Sequence, residues 1–168
     1  MDYRIFQRSY DVFAGKYDEV FEAQQVPKIS ALVAALREPP PGPLLDLGAG
    51  TGLFARTTGW RCIELDASRS MLRSPPRAGC VQALIEQLPF GDATVGGLIS
   101  ITSLIDFEPG VPALTEWARV LKPGGRLILS VLKRENLPAL EHALARERFV
   151  IDSNLDLGLD WGFLAHLA

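Results

Sequence analysis

The chain has 168 residues, of which 48% are hydrophobic and 22% are charged, and its formal net charge is −3 at pH 7. This length fits a single domain, residues 1–168, and the composition excludes a disordered chain. The mildly acidic net charge excludes a broad electropositive surface, so we expect no nucleic-acid partner. No run approaches the ~18 apolar residues that span a bilayer, so we expect a cytoplasmic protein with no membrane partner.

The first 38 residues have helical character and are expected to form a lid over a core made of residues 43–168. Tyr10, Phe13, Tyr17 and Phe21 are spaced three, four and four apart, which is typical of one apolar helix stripe. Residues 26–37 continue with apolar positions at helical spacing. Four prolines within residues 39–43 then end the helix, because proline lacks the backbone N–H that helices and sheets require.

Short apolar runs after the prolines are typical of buried parallel strands. They occupy residues 44–47, 62–65, 80–85, 98–101 and 127–132. Between these runs, segments typical of helices lie at residues 53–58, from residue 68 to the prolines at 75–76, and at residues 111–121. This alternation predicts a doubly wound, mostly parallel α/β sheet with helices on both faces. A helix at 137–146 and strands at 149–153 and 161–167 would add a C-terminal antiparallel pair.

A glycine-rich turn, Gly48-Ala49-Gly50-Thr51-Gly52, follows the first strand and opens a helix. Glycines at alternate positions allow a tight bend and let a ligand lie against the backbone, beside the N–H groups of a helix start. A dinucleotide fingerprint needs its third glycine one place later, where Leu53 stands. The spacing therefore favours an adenosyl sulfonium ligand over a nicotinamide dinucleotide.

Asp66 ends the next strand, where a carboxylate can accept hydrogen bonds from both hydroxyls of a ribose. Without the glycine turn, Asp66 or Ser68 would be equally well explained as the N-cap of a surface helix. Cys62 and Cys80 lack metal-ligand spacing and lie in apolar runs, so we expect two buried thiols and no metal site.

Ordered motifs along residues 10–132 give the sequence a specific resemblance. They are Ala14-Gly15-Lys16-Tyr17-Asp18, the glycine turn, Asp66-Ala67-Ser68-Arg69-Ser70-Met71-Leu72, Leu88-Pro89-Phe90 and Arg119-Val120-Leu121-Lys122-Pro123-Gly124-Gly125. In this combination the chain resembles the class I S-adenosylmethionine-dependent methyltransferases that modify small molecules. The resemblance implies a Rossmann-like sheet, S-adenosylmethionine as cofactor and a small-molecule methyl acceptor as partner; it leaves the oligomeric state open.

The resemblance also implies a set of cofactor-binding residues. They are Asp46, Gly48, Ala49, Gly50, Gly52, Asp66, Ala67, Met71, Leu84, Ile85, Ser100 and Thr102. Asp46 and the glycines would surround the methionine part, Asp66 would hold the ribose and Met71 would pack beside the adenine. Residues 100–102, at the end of the fourth strand, would lie near the transferable methyl group.

The sequence departs from the family pattern at two places. Leu84 stands where the family usually has an acidic residue that bonds the adenine amino group, so this group would need backbone near Ile85 or water. Val95-Gly96 replaces the usual Phe-Asp before the fourth strand, which we interpret as a structural change. These departures keep open an alternative, a non-catalytic module that binds S-adenosylmethionine or a protein partner. Leu53 argues against a second alternative, a nicotinamide oxidoreductase.

Methyl transfer from a sulfonium depends on in-line positioning, and a general base is needed only for an acceptor that arrives protonated. The sequence offers two weak catalytic candidates: Asp106, just past the fourth strand, and Tyr17. With Asp18, Tyr17 would belong to a lid that excludes water from the reaction. His142 is expected on a solvated helix face and His166 in sheet packing.

Overall fold

The computed structural model describes residues 9–76, 78–105, 112–134 and 136–168, and over these residues the chain forms one seven-stranded sheet flanked by helices. The strands are β1 Leu44–Leu47, β2 Ile63–Asp66, β3 Cys80–Gln82, β4 Val95–Ile101, β5 Leu121–Leu132, β6 Phe149–Asp156 and β7 Asp160–Leu167. The helices are α1 Tyr17–Leu36, α2 Leu53–Thr58, α3 Arg69–Leu72, α4 Pro112–Val120 and α5 Leu137–Arg146. Residues 9–13 are helical, and a 3₁₀ turn at Ala14–Lys16 leads into α1.

The strand order is β3-β2-β1-β4-β5-β7-β6. Strands β1 to β5 are parallel to one another, and β7 pairs antiparallel with both β5 and β6. The predicted doubly wound α/β fold with a C-terminal antiparallel pair is therefore confirmed. Because the chain reverses its direction of winding between β1 and β4, the carboxyl ends of these two strands form the crevice in which such sheets bind ligands.

Alternating side chains of the strands form a separate core on each face of the sheet. On one face, α4 and α5 pack against residues such as Leu98 and Phe163, and Trp117 of α4 is fully buried there. On the other face, α1 and α2 cover Ile99 and its neighbours. Helix α1 thus lies across the sheet with its second half fixed in the core. No helix in the described part of the chain has both the length and the hydropathy to span a bilayer.

Several element bounds differ from the predicted ones. Helix α1 begins at residue 17 instead of 26 and accommodates Pro27 in its interior. Strand β3 ends at Gln82 instead of residue 85, because residues 84–87 fold into a turn closed by a 3.1 Å bond from the Gln87 N–H to the Leu84 carbonyl. Strand β3 forms one edge of the sheet, β2 lies next to it, and both strands are partly exposed.

The expected burial of the two thiols is wrong. Cys62 and Cys80 are both partly exposed: Cys80 begins the edge strand β3, and Cys62 directly precedes β2, the strand next to that edge. A short apolar run predicts a strand, but it does not tell a central strand from an edge strand.

Strand β5 begins at Leu121 instead of 127, and residues 122–125 bulge from it. The register shows this directly, since Val95 pairs with Leu121 and Gly97 pairs with Arg126. On the same stretch of β4, a Cβ at Gly96 would lie 1.7 Å from the carbonyl oxygen of Pro41. The proline segment therefore crosses β4 in direct contact, and the Val95-Gly96 departure has the structural cause that the sequence suggested.

Candidate functional site

The glycine turn between β1 and α2 is left-handed at every glycine. The φ angles are 69° at Gly48, 55° at Gly50 and 75° at Gly52, a region that side-chain-bearing residues rarely adopt. A Cβ at Gly48 would lie 2.4 Å from Ser103 Cβ, and a Cβ at Gly50 would lie 3.0 Å from Met71 Cε. The glycines therefore let the turn pack closely against the end of β4 and against α3.

Three backbone N–H groups of this turn donate to other groups of the protein. The Ala49 N–H donates to the Leu65 carbonyl at 2.9 Å, and the Gly52 N–H donates to the Ala49 carbonyl at 2.8 Å. The Gly50 N–H donates to Asp66 Oδ2 at 2.9 Å. These three bonds fix the shape of the turn against β2 and within itself.

Asp66 joins the glycine turn to α3. Besides Gly50, it accepts a 2.7 Å bond from the Ser68 N–H, while Ser68 is itself the N-cap of α3 and accepts from the Met71 N–H at 3.1 Å. The carboxylate thus faces the turn and is not directed only into solvent. Since a carboxylate offers about four acceptor positions, Asp66 has the capacity to accept from ribose hydroxyls as well.

A first pocket lies between α1 and the glycine turn and encloses about 370 Å³ of empty space, its open mouth included. We call it the glycine pocket. Its lining residues are Tyr17, Gln25, Ile29, Asp46, Gly48, Ala49, Gly50, Thr51, Leu53, Phe54 and Ile101. Asp46, at the end of β1, is 2% exposed. The pocket therefore brings together four residues of the predicted cofactor set, one of which is the buried carboxylate Asp46, with an apolar wall.

A second pocket, which we call the aromatic pocket, encloses about 1210 Å³ of empty space, open solvent included. Its lining residues are Ser9, Tyr10, Phe13, Tyr17, Phe21, Gln24, Gln25, Lys28, Thr102, Ile105, Leu132 and Arg134. Tyr17 and Gln25 line both pockets. The two spaces therefore meet at these side chains, above the carboxyl ends of β1 and β4.

The predicted aromatic stripe forms one wall of this second pocket. The Tyr17 and Phe21 ring centroids are 4.9 Å apart, those of Phe13 and Phe21 are 5.9 Å apart, and those of Tyr10 and Tyr17 are 6.3 Å apart. The rings thus pack on one another and also face a cavity. Burial, together with Tyr10, Asp66 and Asp18, raises the pKa of Tyr17 to about 12. Its phenol is neutral at physiological pH and can donate a hydrogen bond.

Polar contacts hold the start of α1 on the glycine turn. Thr51 Oγ1 donates to Asp18 Oδ1 at 2.5 Å, and Arg56 Nη2 donates to Asp18 Oδ2 at 2.6 Å. Arg56 also donates to the Thr51 carbonyl. On the preceding segment, Asp11 accepts a 2.5 Å bond from Ser68 Oγ. We call the Asp18, Thr51 and Arg56 contacts the Asp18 latch.

A buried polar cluster at the edge of the aromatic pocket was not found from the sequence. Lys28 Nζ lies 2.6 Å from Asp160 Oδ1, and the side chains of the pair are 3% and 0% exposed. Thr102 Oγ1 donates to Asp160 Oδ2 at 2.7 Å, and Ser130 Oγ donates to the same oxygen at 3.2 Å. The signal for Lys28 was its place four residues before Leu32 on the core face of α1. Asp160 gave no such signal.

The remaining predicted residues line neither pocket. These are Gly52, Asp66, Ala67, Met71, Leu84, Ile85 and Ser100. The Leu84 carbonyl accepts from Gln87, and the Ile85 carbonyl accepts a 2.9 Å bond from Trp117 Nε1. Ser100 is buried and pairs with Ser103 at 2.7 Å.

None of the other catalytic candidates is found among the described residues that line the two pockets. Asp106 falls outside the described residues. His142 is exposed on α5, and His166 contacts Asp152 at 2.9 Å on the antiparallel strands. Neither histidine lines either pocket.

A family model described as a methyltransferase domain matches residues 45–129, which run from β1 to the centre of β5. The chain belongs to the class I S-adenosylmethionine-dependent methyltransferases. This methyltransferase is 36% identical over 149 residues to a malonyl-[acyl-carrier protein] O-methyltransferase of Methylococcus capsulatus, with 80% of this chain and 54% of that protein covered. The chain thus spans about half the length of this relative.

Two further proteins are similar to the methyltransferase. An uncharacterised protein of Methanocaldococcus jannaschii is 29% identical over 151 residues, with 86% of this chain and 72% of that protein covered. The crystal structure of a possible histamine N-methyltransferase from Thermotoga maritima superposes with a TM-score of 0.77 at 19% identity, covering 95% of this chain and 98% of that one. At this identity the likeness shows the fold alone.

Proposed function

We propose that this methyltransferase binds S-adenosylmethionine in the glycine pocket and transfers its methyl group to a small-molecule acceptor in the aromatic pocket. The observation that carries this proposal is that Tyr17 and Gln25 line both spaces. Two molecules bound on either side of these residues would meet, as an in-line transfer requires. The name of the Methylococcus relative supports methyl transfer as the reaction.

The residues of the glycine pocket fit the chemical groups of the cofactor. A buried carboxylate, Asp46, suits the ammonium of the methionine part, because a charged group in a dry site needs an opposite charge. Asp66 lies beside the pocket, where it accepts a hydrogen bond from the lining residue Gly50, and it suits the ribose hydroxyls. Leu53, Phe54 and Ile101 supply an apolar wall. When bound, the sulfonium would supply an electrophilic methyl carbon and a neutral leaving group.

The protein's own contribution to the reaction would be positioning and exclusion of water. The aromatic wall and the Asp18 latch would cover the junction of the two pockets, and a dry site strengthens the electrostatic interactions within it. The Tyr17 phenol would orient the acceptor as a hydrogen-bond donor, since its pKa of about 12 keeps it protonated at neutral pH.

Calorimetry with S-adenosylhomocysteine tests the cofactor assignment. Asp66→Asn is expected to weaken binding about 10- to 100-fold, because charged hydrogen bonds contribute about 1.5–3 kcal/mol. Asp152→Asn is the matched control, since this carboxylate contacts Arg126 and His166 far along the sheet and should leave binding unchanged. Absence of heat from the wild type at millimolar ligand would remove the assignment.

A labelling experiment tests the transfer itself. The protein is incubated with S-adenosylmethionine carrying a tritiated methyl group and a low-molecular-mass metabolite extract. We expect label to appear in small molecules of the extract. Intact cofactor binding with all label retained in the cofactor would instead favour the non-catalytic binding module.

A further inference from the structure

Gln25 belongs to the wall that the glycine pocket and the aromatic pocket share. It lies on α1, about two turns beyond Tyr17, and lines both spaces. The residue is only 7% exposed. A glutamine is seldom buried to this extent, and buried amides are normally hydrogen-bonded. The partners of its amide therefore decide whether the fold alone accounts for this side chain.

The protein holds the Gln25 amide only loosely. Thr102 Oγ1 lies 3.5 Å from Gln25 Oε1, at the outer limit of a hydrogen bond. A threonine hydroxyl has a single hydrogen, and Asp160 Oδ2, a charged acceptor, lies closer to that hydroxyl at 2.7 Å. Since the bond to Asp160 takes this hydrogen, Thr102 contributes little to holding Gln25.

The amide nitrogen of Gln25 faces the pockets. Among the described residues, no oxygen accepts a hydrogen bond from Nε2, yet the protein does not enclose this atom. Because the residue is otherwise buried, the surface that Nε2 keeps opens into the spaces that Gln25 lines. A nearly buried donor without a partner costs free energy, and a ligand oxygen that accepts from it removes that cost.

The surroundings of Gln25 give this donor an orienting role. Phe13 and Phe21 supply apolar surface to the aromatic pocket. In a mostly apolar pocket, a few well-placed polar groups fix the orientation of the ligand. An apolar molecule with an oxygen-bearing end would therefore bind with its oxygen at Gln25. This is the side of the aromatic pocket that meets the glycine pocket.

We propose that Gln25 binds an oxygen of the methyl acceptor through Nε2 and so places the polar end of an apolar acceptor beside the cofactor. This inference rests on the proposed function, which assigns the acceptor to the aromatic pocket. Gln25 is then a specificity-determining residue that favours acceptors with an oxygen at the end facing the cofactor. Gln24 lines the aromatic pocket but not the glycine pocket, so it does not share this position.

Gln25→Met removes the amide and keeps an unbranched side chain of similar length, and Gln24→Met is the matched control. Because the amide has no strong partner in the protein, we expect the urea midpoint of Gln25→Met to stay at or above the wild-type value. We expect calorimetry to show unchanged affinity for S-adenosylhomocysteine. A lower midpoint would assign the amide to the fold, and weaker S-adenosylhomocysteine binding would assign it to the cofactor; either result would overturn the proposal.

Two probes that differ by a hydroxyl in place of a methyl group, 2-naphthol and 2-methylnaphthalene, test the oxygen preference. Equilibrium dialysis measures the affinity of each, with and without saturating S-adenosylhomocysteine. We expect the affinity ratio of naphthol to methylnaphthalene to fall about fivefold in Gln25→Met, equivalent to about 1 kcal/mol for a neutral hydrogen bond. Gln24→Met should keep the wild-type ratio. An unchanged ratio in Gln25→Met, an equal fall in both variants, or no binding of either probe to the wild type would contradict the role of Gln25.

The tritium experiment separates failure of this inference from failure of the proposed function. When the transfer rate is followed at increasing extract concentration, Gln25→Met is expected to need about fivefold more extract for its half-maximal rate. The same extract dependence in wild type and variant would refute the role of Gln25 and leave the proposed function standing. If S-adenosylhomocysteine does not bind the wild type while the naphthol ratio still falls in Gln25→Met, the proposed function fails and the oxygen-binding role of Gln25 stands.

Discussion

Gly96 shows how a single residue explains a departure from the family pattern. A Cβ here would lie 1.7 Å from the Pro41 carbonyl oxygen and 2.9 Å from its carbon, both backbone atoms that cannot rotate away. The Gly96 N–H also donates to the Pro43 carbonyl at 2.8 Å. The proline segment and β4 are therefore fitted to each other, and the position admits no side chain.

We expect Gly96→Ala to lower the free energy of unfolding by about 3 kcal/mol, the upper end of the cost of overpacking, because β4 must move from the proline segment. Urea denaturation followed by circular dichroism measures this. The matched control is Gly15→Ala, since a Cβ at Gly15 would meet nothing within 4 Å. Equal midpoints for the two variants would show that the proline segment yields at little cost.

Site residues that are close together in the sequence could be predicted, whereas residues that only the fold brings together could not. Asp46 lies in the last half of β1 and the glycine turn follows that strand directly, so chain order alone predicted their place at the crevice. Lys28 and Asp160 are separated by 132 positions along the chain, and only the fold brings them together. Lys28 lies among apolar residues on α1, where a charged side chain is exceptional unless it is paired.

At the scale of elements, motifs that carry the family resemblance turn out to connect one loop with one helix. Arg119 Nη1 donates to the Phe90 carbonyl at 2.9 Å and to Asp92 at 2.5 Å, and the Leu88 N–H donates to Glu116 at 2.7 Å. The bonds from Arg119 and the Leu88 N–H hold the pKa of Glu116 below its usual value. Two separate sequence signatures therefore form one structural joint between α4 and the segment before β4.

The bounds of a strand or helix could be predicted where clear sequence signals mark both of its ends. They could not be predicted where contacts with the rest of the fold extend the element past such a signal. Strand β1 has its predicted bounds, because an apolar run meets prolines on one side and glycine on the other. Strand β5 extends through Lys122-Pro123-Gly124-Gly125, a sequence that reads as a stop signal, because the bulge places these residues outside the ladder. Helix α1 continues through Pro27 because its second half is packed on the sheet.

The Asp18 latch joins two elements, α1 and the glycine turn, and should control how fast the cofactor leaves. Asp18→Asn is expected to speed dissociation of S-adenosylhomocysteine about two- to fivefold, since partly exposed ion pairs contribute about 0.2–1 kcal/mol. Stopped-flow displacement measures this rate. Glu19→Gln on the same turn of α1 is the control, because Glu19 is exposed. Identical rates in both variants would show that the cofactor leaves by another route.

At the scale of the whole molecule, α1 has two differently fixed halves. Its second half is part of the core through Ile29 and Leu32 and through the buried pair of Lys28 with Asp160. Its first half rests on polar contacts at half-exposed positions and carries the aromatic rings. Local opening free energies follow burial of this kind, so the first half is the part that can open for ligands while the sheet stays folded.

The stability of the whole molecule should report the burial of Tyr17 at alkaline pH. The pKa of Tyr17 is raised from 10.0 to about 12, so the folded state keeps a proton that the unfolded state loses. Between pH 10 and 12 the unfolded state therefore binds fewer protons, and stability falls as pH rises, by up to about 3 kcal/mol. Below pH 10 this contribution is fully present.

Urea unfolding at steps from pH 9 to 12 measures this decline. We expect the free energy of unfolding to fall less steeply in Tyr17→Phe than in the wild type, because the variant has no phenol to ionise at this position. Tyr10 accounts for part of the decline that remains, because its pKa is also raised. Parallel curves for the two proteins would mean that the phenol reaches water, and the first half of α1 would then be open already in the unliganded protein.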